Sequence, residues 1–251
     1  MENSPINSAE PWIFKEIKTE KVYMRVVNQI RDLIKSGRLS PGDKLPPEKV
    51  LADRLGVSRP SIREGIVALE IMGLVESRGG KGNFIRDFID SAALDNAYGE
   101  LESKESPFEL LEARKIVEVE VAGCAAQNAT PEDVAKLKRT LALMRESVVK
   151  FVNSGDYTQP AELDRQFHED VVEATHNTVL RRIVLQIFEG MKEDLWMRLK
   201  AQSWSTPGRP QRYLREHEDI MAAIEAKDAE MARETMRKHL SDIQADLFGQ
   251  T

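Results

Sequence analysis

The stretch that decides the fold runs over residues 47–73 and reads PEKVLADRLGVSRPSIREGIVALEIMG. Glu48 suits the first turn of a helix, and Gly56 ends that helix. Ser58 is a suitable N-cap for the next helix, whose apolar residues recur at helical spacing until Gly73. Two helices joined by a short turn that contains glycine predict a helix-turn-helix, whose second helix enters the major groove of DNA.

The first residues of that second helix are candidates for contacts with DNA. Arg59 and Arg63 lie one helical turn apart, so their guanidinium groups could reach guanine edges or phosphates. Ser58 and Ser61 are short enough to lie against the phosphate backbone. The alternative is that both arginines are ordinary solvated helix residues, and the helix-turn-helix pattern alone does not separate the two interpretations.

A glycine-rich hairpin follows the helix-turn-helix. Residues 74–78 and 83–86 read as two short strands around the sequence GGKG. Such a hairpin is a wing, whose glycine tip can enter a narrow minor groove beside Arg78 and Lys81. With one earlier helix, capped by Thr19, the amino-terminal third is predicted to be a winged helix-turn-helix of three helices and a two-stranded wing.

The charge distribution divides the chain into two parts. The 251 residues hold 36 Lys and Arg against 42 Asp and Glu, a net charge of −6. Residues 15–86 hold 15 Lys and Arg against 9 Asp and Glu, so this part carries +6 and the remainder −12. The asymmetry indicates a nucleic-acid-binding module joined to an acidic module with another task, although two unremarkable solvated surfaces would also produce it.

Composition excludes several classes of protein. A hydrophobic fraction of 41% describes a globular chain rather than a disordered or fibrous one. Cys124 is the single cysteine, so nothing requires an oxidising compartment. The longest apolar stretch, residues 65–75, is far shorter than a membrane span, and the first ten residues lack the basic start of a signal peptide. We therefore expect a cytoplasmic protein without a membrane role.

The rest of the chain is predicted to be helical, which makes the fold mainly α. Ser106 begins a capping box with proline at the first helical position, and Thr130 precedes a second acidic helix start. The apolar spacing predicts a bundle of at least six helices, at residues 107–128, 131–153, 159–175, 178–202, 210–226 and 229–247. The predicted domains are a flexible tail (1–18), the winged helix-turn-helix (19–87), a partly helical linker (88–106) and a helical domain (107–248).

Three of the predicted helices direct histidine inward. His217 and His239 each lie on the apolar stripe of a helix, and Asp164 and His168, at positions i and i+4, share the apolar face of another. A divalent cation would compensate all four groups, and a His and Asp set without thiolate suits Zn²⁺, Ni²⁺, Co²⁺ or Mn²⁺. The alternative is a core histidine satisfied by a hydrogen bond at each position. His176 lies at a helix end, where capping is expected.

Arg114 also lies on an apolar face, and two interpretations stay open. It can pair with Glu118 at i+4, a contact worth only a few tenths of a kcal/mol on a helix surface. It can instead lie in a cavity of the bundle, where its guanidinium would bind the carboxylate of a ligand.

Several motifs of the amino-terminal module, taken together, are typical of one family. They are GRLSPGDKLP at 37–46, LA at 51–52, GVSRPSIRE at 56–64, GLV at 73–75 and GKG at 80–82. On these motifs the module resembles the winged-helix domain of GntR-type bacterial regulators. The resemblance implies base contacts for Arg59 and Arg63, phosphate contacts for Lys49, Ser58 and Ser61, and entry into the minor groove for Gly80.

Two residues depart from the pattern of that family. Lys49 stands where the family often has arginine, and because lysine lacks the bidentate guanidinium we assign it to phosphate. Gly65 replaces the usual alanine. This change should cost roughly 1 kcal/mol of helix propensity unless close packing requires glycine.

The helical part has motifs of its own. They are residues 111–126 with Arg114 and Glu118, LDRQFH at 163–168, Asn177, EH at 216–217 and HL at 239–240. On these, residues 107–247 resemble the ligand-sensing FCD-type domain of the FadR branch of GntR regulators. The resemblance implies metal ligation by Asp164, His168, His217 and His239, and binding of a small organic acid at open coordination positions by Arg114 and Asn177. Members that bind acyl-coenzyme A lack this histidine set, which argues against a fatty acyl ligand.

Taken together, the sequence predicts a homodimeric, metal-containing transcription factor, with zinc as the first choice of metal. We expect a repressor that binds a pseudo-palindromic operator and is released by a small carboxylate effector. Two alternatives are a metal-dependent enzyme of organic acids joined to a DNA-locating winged helix, and a winged helix used for protein contacts. Against an enzyme, Glu169 and Glu216 adjoin the metal ligands in sequence but are predicted to point elsewhere.

Overall fold

The structure is a computed structural model that describes residues 21–78, 80–87, 98–99, 101, 105–154, 158–191 and 194–248. The predicted tail at 1–18, the predicted cap Thr19 and most of the predicted linker at 88–106 lie outside these residues. Tyr98, Gly99 and Leu101 of the linker are helical. Within the described residues, no helix combines the length and apolar character that crossing a bilayer requires.

The amino-terminal module contains the predicted three helices and two strands. They are α1 (Val22–Lys35), α2 (Glu48–Leu55), α3 (Arg59–Ile71), β1 (Val75–Arg78) and β2 (Gly82–Ile85). Ser58 caps α3, because its Oγ accepts a hydrogen bond from the Ser61 amide at 3.2 Å. Gly56 and Gly73 take left-handed φ angles of 66° and 73° after α2 and α3, as their predicted terminating roles require.

Gly65 is explained by the contact between α1 and α3. A Cβ atom at this position would lie 2.7 Å from Cγ1 of Val26, which is closer than real Cβ atoms approach a neighbour. Both helices bury apolar residues on this contact, including Val27 and Ile62. Close packing of α1 against α3 therefore explains the glycine, as the sequence analysis allowed.

The second strand of the wing also pairs with the segment before α2, which the sequence did not predict. β1 and β2 pair antiparallel, with Val75 opposite Ile85 and Arg78 opposite Gly82. Lys44, in the segment before α2, forms a bridge with Phe84, and the amide of Leu45 donates to the Asn83 carbonyl at 2.8 Å. The segment before α2 thus holds the wing against the helices.

The carboxy-terminal module contains seven helices in its described residues. They are α4 (Pro107–Asn128), α5 (Pro131–Ser154), α6 (Thr158–Glu173), α7 (Thr178–Gly190), α8 (Asp194–Trp204), α9 (Arg209–Glu225) and α10 (Ala229–Phe248). α4 is central, since it contacts α6, α7, α9 and α10. The core is formed by buried apolar side chains from these helices, among them Leu111, Leu137, Phe167, Ile220 and Met236.

The prediction of one helix over residues 178–202 was wrong. The chain forms α7, which ends at Gly190, and a separate α8 that begins at Asp194. Gly190 passes close to α4, where a Cβ atom would lie 3.0 Å from Leu110 Cδ2. Glycine lowers helix propensity here and permits the close approach, which accounts for the end of α7 at this residue.

The two modules are in contact. Phe108, in the first turn of α4, packs between Tyr23 and Phe248 at ring-centroid distances of 5.4 Å and 4.4 Å. Val67 of α3 is buried within the carboxy-terminal core. A cavity of about 380 Å³ also lies between the modules, lined by α3, the wing, α8 and the end of α10.

Candidate metal centre and nucleic-acid interface

Three helices bring four buried polar side chains to one point in the carboxy-terminal core. α6 supplies Asp164 and His168, α9 supplies His217 and α10 supplies His239. One ligand atom from each side chain lies within 4.8 Å of the other three. The helical spacing of the sequence and the packing of three helices together account for this cluster.

Each of the three imidazoles has its Nδ1 near an oxygen atom outside the cluster. His217 Nδ1 lies 2.7 Å from the Tyr213 carbonyl, and His239 Nδ1 lies 2.8 Å from Glu216 Oε2. His239 Nε2 is buried and has no hydrogen-bond partner among the described residues. An oxygen acceptor at Nδ1 fixes the tautomer that leaves Nε2 free to bind a metal.

His168 follows the same arrangement. Its Nδ1 lies 2.6 Å from Glu118 Oε2, and its Nε2 lies 3.4 Å from His217 Nε2. His217 Nε2 is also 3.3 Å from Asp164 Oδ1. Three imidazole nitrogens and one carboxylate oxygen form a donor set that fits a divalent transition metal such as Zn²⁺.

The electrostatic environment keeps the ligands in the forms that bind metal. Burial lowers the pKa of His168, and burial together with the neighbouring histidines lowers the pKa of His239 well below its ordinary value. Burial acts to raise the pKa of Asp164, but Lys200 and His217 hold it well below its usual range. Both histidines are therefore neutral and the aspartate is ionised, as metal ligation requires.

Glu216 was predicted to point elsewhere than the cluster, and its carboxylate contacts the outer nitrogen of one candidate ligand, His239 Nδ1, at 2.8 Å. This contact forms because α9 and α10 pack side by side. Burial raises the pKa of Glu216 to about 7. Glu169 is hydrogen-bonded to Arg165 at 2.7 Å on the same helix.

Arg114 combines the two interpretations left open by the sequence. Its guanidinium pairs with Glu118 one turn along α4, and both side chains are buried. Burial acts to raise the pKa of Glu118, but Arg114 and His168 lower it to about 2. The same Arg114 lines a cavity, so the pair is part of the wall of a pocket.

The cavity lies beside the four-residue cluster and has a volume of about 260 Å³. It reaches Asp164 and His168 of the cluster. Its remaining wall is both cationic and apolar, and comes from Arg114, Ala161, Glu162, Arg165, Phe188, Met191, Trp196 and Lys200. A cavity of this size suits a metabolite smaller than a typical drug molecule.

Asn177 and His176 lie at the start of α7 and take structural contacts there. The Asn177 side-chain oxygen accepts hydrogen bonds from the amides of Val179 and Leu180, which makes it the N-cap of α7. His176 has a φ angle of 52°, and its Nε2 lies 2.8 Å from Asp133 Oδ2 at the start of α5. The side chain of Asn177, rather than that of His176, caps the helix.

The amino-terminal module presents most of its predicted DNA-binding residues to solvent. Lys49, Ser58, Arg59, Gly80 and Lys81 are exposed. Gly80 has a φ angle of 68°, and a Cβ atom there would meet nothing within 4 Å. The wing tip is therefore open on the side from which a groove would approach.

The other predicted DNA-binding residues have contacts inside the module. Arg63 is half-buried and pairs with Glu48 of α2 at 3.0 Å. The Arg78 guanidinium lies 4.4 Å from the centroid of the Phe84 ring. Ser61 and Ser58 are joined by a hydrogen bond of 2.9 Å between their hydroxyl groups.

Two domain families match the chain. Residues 22–85 match the gntR family of bacterial regulatory proteins, and residues 109–242 match the FCD domain. The chain is a GntR-family regulator. Its winged helix-turn-helix and its FCD domain correspond to the two modules described above, and all four residues of the buried cluster fall within the FCD match.

Relatives of this GntR-family regulator are transcriptional regulators by name. It is 34% identical to the Uxu operon transcriptional regulator of Escherichia coli K12 over 230 residues, which are 91% of this chain and 88% of the relative. It is 31% identical to the HTH-type transcriptional regulator LutR of Bacillus subtilis 168, over 86% of this chain and 97% of the relative. It is 33% identical to the putative L-lactate dehydrogenase operon regulatory protein of E. coli K12, over 86% and 82%. These names agree with the expectation of a regulator rather than an enzyme.

Sequence reasoning missed two side chains of the GntR-family regulator that lie near the cluster. Lys200 donates to Asp164 Oδ2 at 2.6 Å, and Trp196 lines the cavity one turn earlier on α8. Both fell inside a helix that was predicted to run without interruption from 178 to 202. Their spacing of four places Trp196 and Lys200 on one face of a helix. The neighbour of that face could not be predicted while α7 and α8 were taken as one helix.

Proposed function

We propose that this GntR-family regulator is a homodimeric, cytoplasmic repressor whose operator binding is controlled by a small carboxylate bound at a divalent metal ion. One observation carries the proposal. Three buried imidazoles direct Nε2, and Asp164 directs an oxygen, toward a common point beside a cavity. A buried polar cluster of this composition is costly unless a cation compensates it.

For DNA recognition we propose that α3 lies in the major groove of each half of a pseudo-palindromic operator. Arg59 and Arg63 would contact base edges, and Lys49, Ser58 and Ser61 would contact phosphates. The wing would place Gly80 in the minor groove, with Arg78 and Lys81 beside it. Arg63 would exchange its contact with Glu48 for a contact with DNA.

Asp164, His168, His217 and His239 would hold the metal ion. Zn²⁺ is the first choice for this donor set, and Ni²⁺, Co²⁺ and Mn²⁺ are the alternatives. The ion supplies a Lewis-acidic position that attracts carboxylate oxygens. Arg114, which Glu118 fixes in the cavity wall, would donate hydrogen bonds to the same carboxylate. The role of Asn177 in effector binding stays a prediction. Its side-chain oxygen caps α7.

The name of one relative suggests the first effector to try. Because that relative is named for an L-lactate dehydrogenase operon, we use L-lactate and related 2-hydroxy acids as probes. An effector that prefers the weakly binding arrangement of the dimer by about 1 to 3 kcal/mol would lower operator affinity about 5-fold to 150-fold.

Metal content is the direct test of the centre. Purified protein should hold about one divalent ion per chain by elemental analysis, as a site with four protein ligands implies. His217→Ala should lose the ion, whereas His176→Ala, which removes an exposed histidine outside the cluster, should keep it. Full occupancy in His217→Ala would reject this ligand set.

Operator control is tested by titration of labelled DNA from the upstream region of its own gene. The metal-loaded protein should bind this DNA, and addition of an effector from a panel of small 2-hydroxy and dicarboxylic acids should release it. If every acid in the panel leaves the affinity unchanged while the metal is present, carboxylate control is rejected.

A further inference from the structure

α8 directs two of its side chains into the cavity. Trp196 and Lys200 are one helical turn apart, so they lie on the same face of the helix, and both belong to the cavity wall. Arg114, Asp164 and His168 reach the cavity from α4 and α6. α8 therefore supplies part of the cavity wall, although it holds none of the four candidate metal ligands.

Trp196 has a buried donor without an acceptor. The side chain is 3% exposed, and its indole Nε1 has no hydrogen-bond partner among the described residues. Buried indole N–H groups are normally hydrogen-bonded, because they lose their contact with water on burial. A ligand in the cavity that offers an oxygen acceptor would satisfy this group.

Lys200 supplies a cation on the same face. Its ammonium donates to Asp164 Oδ2, whereas Asp164 Oδ1 is the oxygen nearest to His217. Lysine has three N–H donors, so the contact with Asp164 leaves two for a ligand. The side chain is 12% exposed, so its charge is only weakly screened by water.

Among the described residues, the three cations of the cavity wall are each paired with carboxylates. Lys200 pairs with Asp164, Arg114 pairs with Glu118, and Arg165 pairs with two glutamates, Glu169 and Glu189. Glu162 is exposed at the cavity wall, where solvent screens it. A divalent ion at the cluster would bind Asp164, so this carboxylate would be shared between the ion and Lys200. A shared carboxylate compensates each of its two cationic partners less, and an anionic group of a ligand at Lys200 would compensate the buried ammonium.

We propose that Trp196 and Lys200 bind a second anionic group of the effector, and that the effector is therefore a small acid with two anionic groups. This inference rests on the proposed function, in which the first carboxylate meets the metal ion and Arg114. The first group sets the position of the acid. The second group, at α8, distinguishes a dianion from a monoanion of the same shape.

Malate and 2-hydroxybutyrate form a matched pair of probes. Both have four carbon atoms and the same 2-hydroxy acid end, and they differ in a carboxylate or a methyl group at the other end. In calorimetric titrations of the Zn²⁺-loaded full-length protein, malate should bind at least about tenfold more tightly, as a charge-assisted hydrogen bond implies. 3-Phosphoglycerate carries the same end with a phosphate, so its affinity tells which second anion is preferred.

Variants of α8 locate the effect. Lys200→Met should reduce the preference for malate over 2-hydroxybutyrate to about onefold, a ratio that any common effect on the metal site leaves unaltered. Trp196→Phe, which removes the N–H and keeps an aromatic ring, should reduce the preference in part. Lys138→Met, an exposed lysine on α5, and Trp204→Phe, a buried tryptophan on α8 outside the cavity wall, are the matched controls.

The outcomes separate this inference from the proposed function. If wild-type protein binds both acids equally, or if Lys200→Met keeps the preference for malate, the role of α8 is rejected while the effector site stands. If none of the three acids binds to the Zn²⁺-loaded protein, the role of α8 is rejected, and the proposed function falls with it only if every other acid of the panel also fails. Should Lys200→Met fold poorly, Lys200→Gln gives the same comparison, because the preference is a ratio measured within one folded sample.

Discussion

At the scale of single residues, the geometry of the four-residue cluster depends on groups outside the cluster. Glu118 and Glu216 each approach Nδ1 of a histidine, and the Tyr213 carbonyl does the same for His217. These acceptors orient the rings and raise their basicity. Replacement of an acceptor should therefore weaken metal binding without removing a ligand.

Glu216→Ala tests that statement. We expect a loss of about 10-fold to 100-fold in Zn²⁺ affinity, because His239 loses the acceptor that fixes its tautomer. Competition with a fluorescent chelator measures the change. Glu218→Ala is the control, since Glu218 lies two residues further along α9 and pairs with Arg145 at the surface. Equal affinities of the two variants would contradict an orienting role for Glu216.

Gly65→Ala is expected to destabilise the winged helix, although alanine has the higher helix propensity. The gain of about 1 kcal/mol in propensity is opposed by overpacking against Val26, which typically costs about 1 to 3 kcal/mol. Urea unfolding measures the difference. The double variant Gly65→Ala/Val26→Ala should recover part of the loss that Gly65→Ala causes beyond that of Val26→Ala alone. An increase in stability for Gly65→Ala alone would show that α1 can move away.

At the scale of secondary-structure elements, α3 faces two surroundings. Its first turn carries the exposed Arg59, whereas Arg63 is held by Glu48 and lies beside the cavity between the modules. Further along, Val67 is buried in the core of the other module. The recognition helix thus has one end available to DNA and the other end in contact with the FCD domain.

Arg59→Ala and Arg63→Ala should each remove about 1 to 3 kcal/mol of discrimination between operator and random DNA. Lys49→Ala should instead weaken binding to both DNAs and reduce the salt dependence by about one phosphate contact. Fluorescence anisotropy at several salt concentrations gives both quantities. If the two arginine variants lose affinity equally on both DNAs, their contacts are with phosphate.

Most element boundaries followed from the sequence because they have local causes. Ser58, Gly56 and Gly73 act on the helices that adjoin them, and the inward histidines follow from helical spacing. The break at Gly190 and the contact of Lys200 with Asp164 were not predictable in this way. Each depends on a neighbour from a different helix, Leu110 for the break and Asp164 for the lysine.

At the scale of the whole molecule, the two modules are joined through aromatic packing. Phe108 touches Tyr23 of α1 and Phe248 of α10, and the Tyr23 hydroxyl donates to the Leu101 carbonyl at 3.3 Å. The end of the chain's last helix thereby lies against the first helix of the DNA-binding module. This packing gives the FCD domain a direct contact with the winged helix-turn-helix.

Phe108→Ala should weaken the coupling between the modules. Wild-type protein should unfold in one calorimetric transition, and the variant in two, because each module keeps its own core while their shared packing is lost. Metal content should be unchanged. Phe151→Ala, which removes an aromatic contact with Trp204 inside the FCD domain, is the comparison. A single transition in Phe108→Ala would mean that the remaining contacts suffice.

The position of α8 has a consequence for signalling. Lys200 and Trp196 face one cavity, while Leu199 and Ser203 of the same helix line the space beside α3 and the wing. A structural change at an occupied cavity would then have to cross only the diameter of α8, about 10 Å, to reach the surface beside α3 and the wing. Substitutions of Leu199 and Ser203, on the side of α8 that faces α3, should therefore leave the binding of metal and effector unchanged. The same variants should stay bound to DNA when the effector is added.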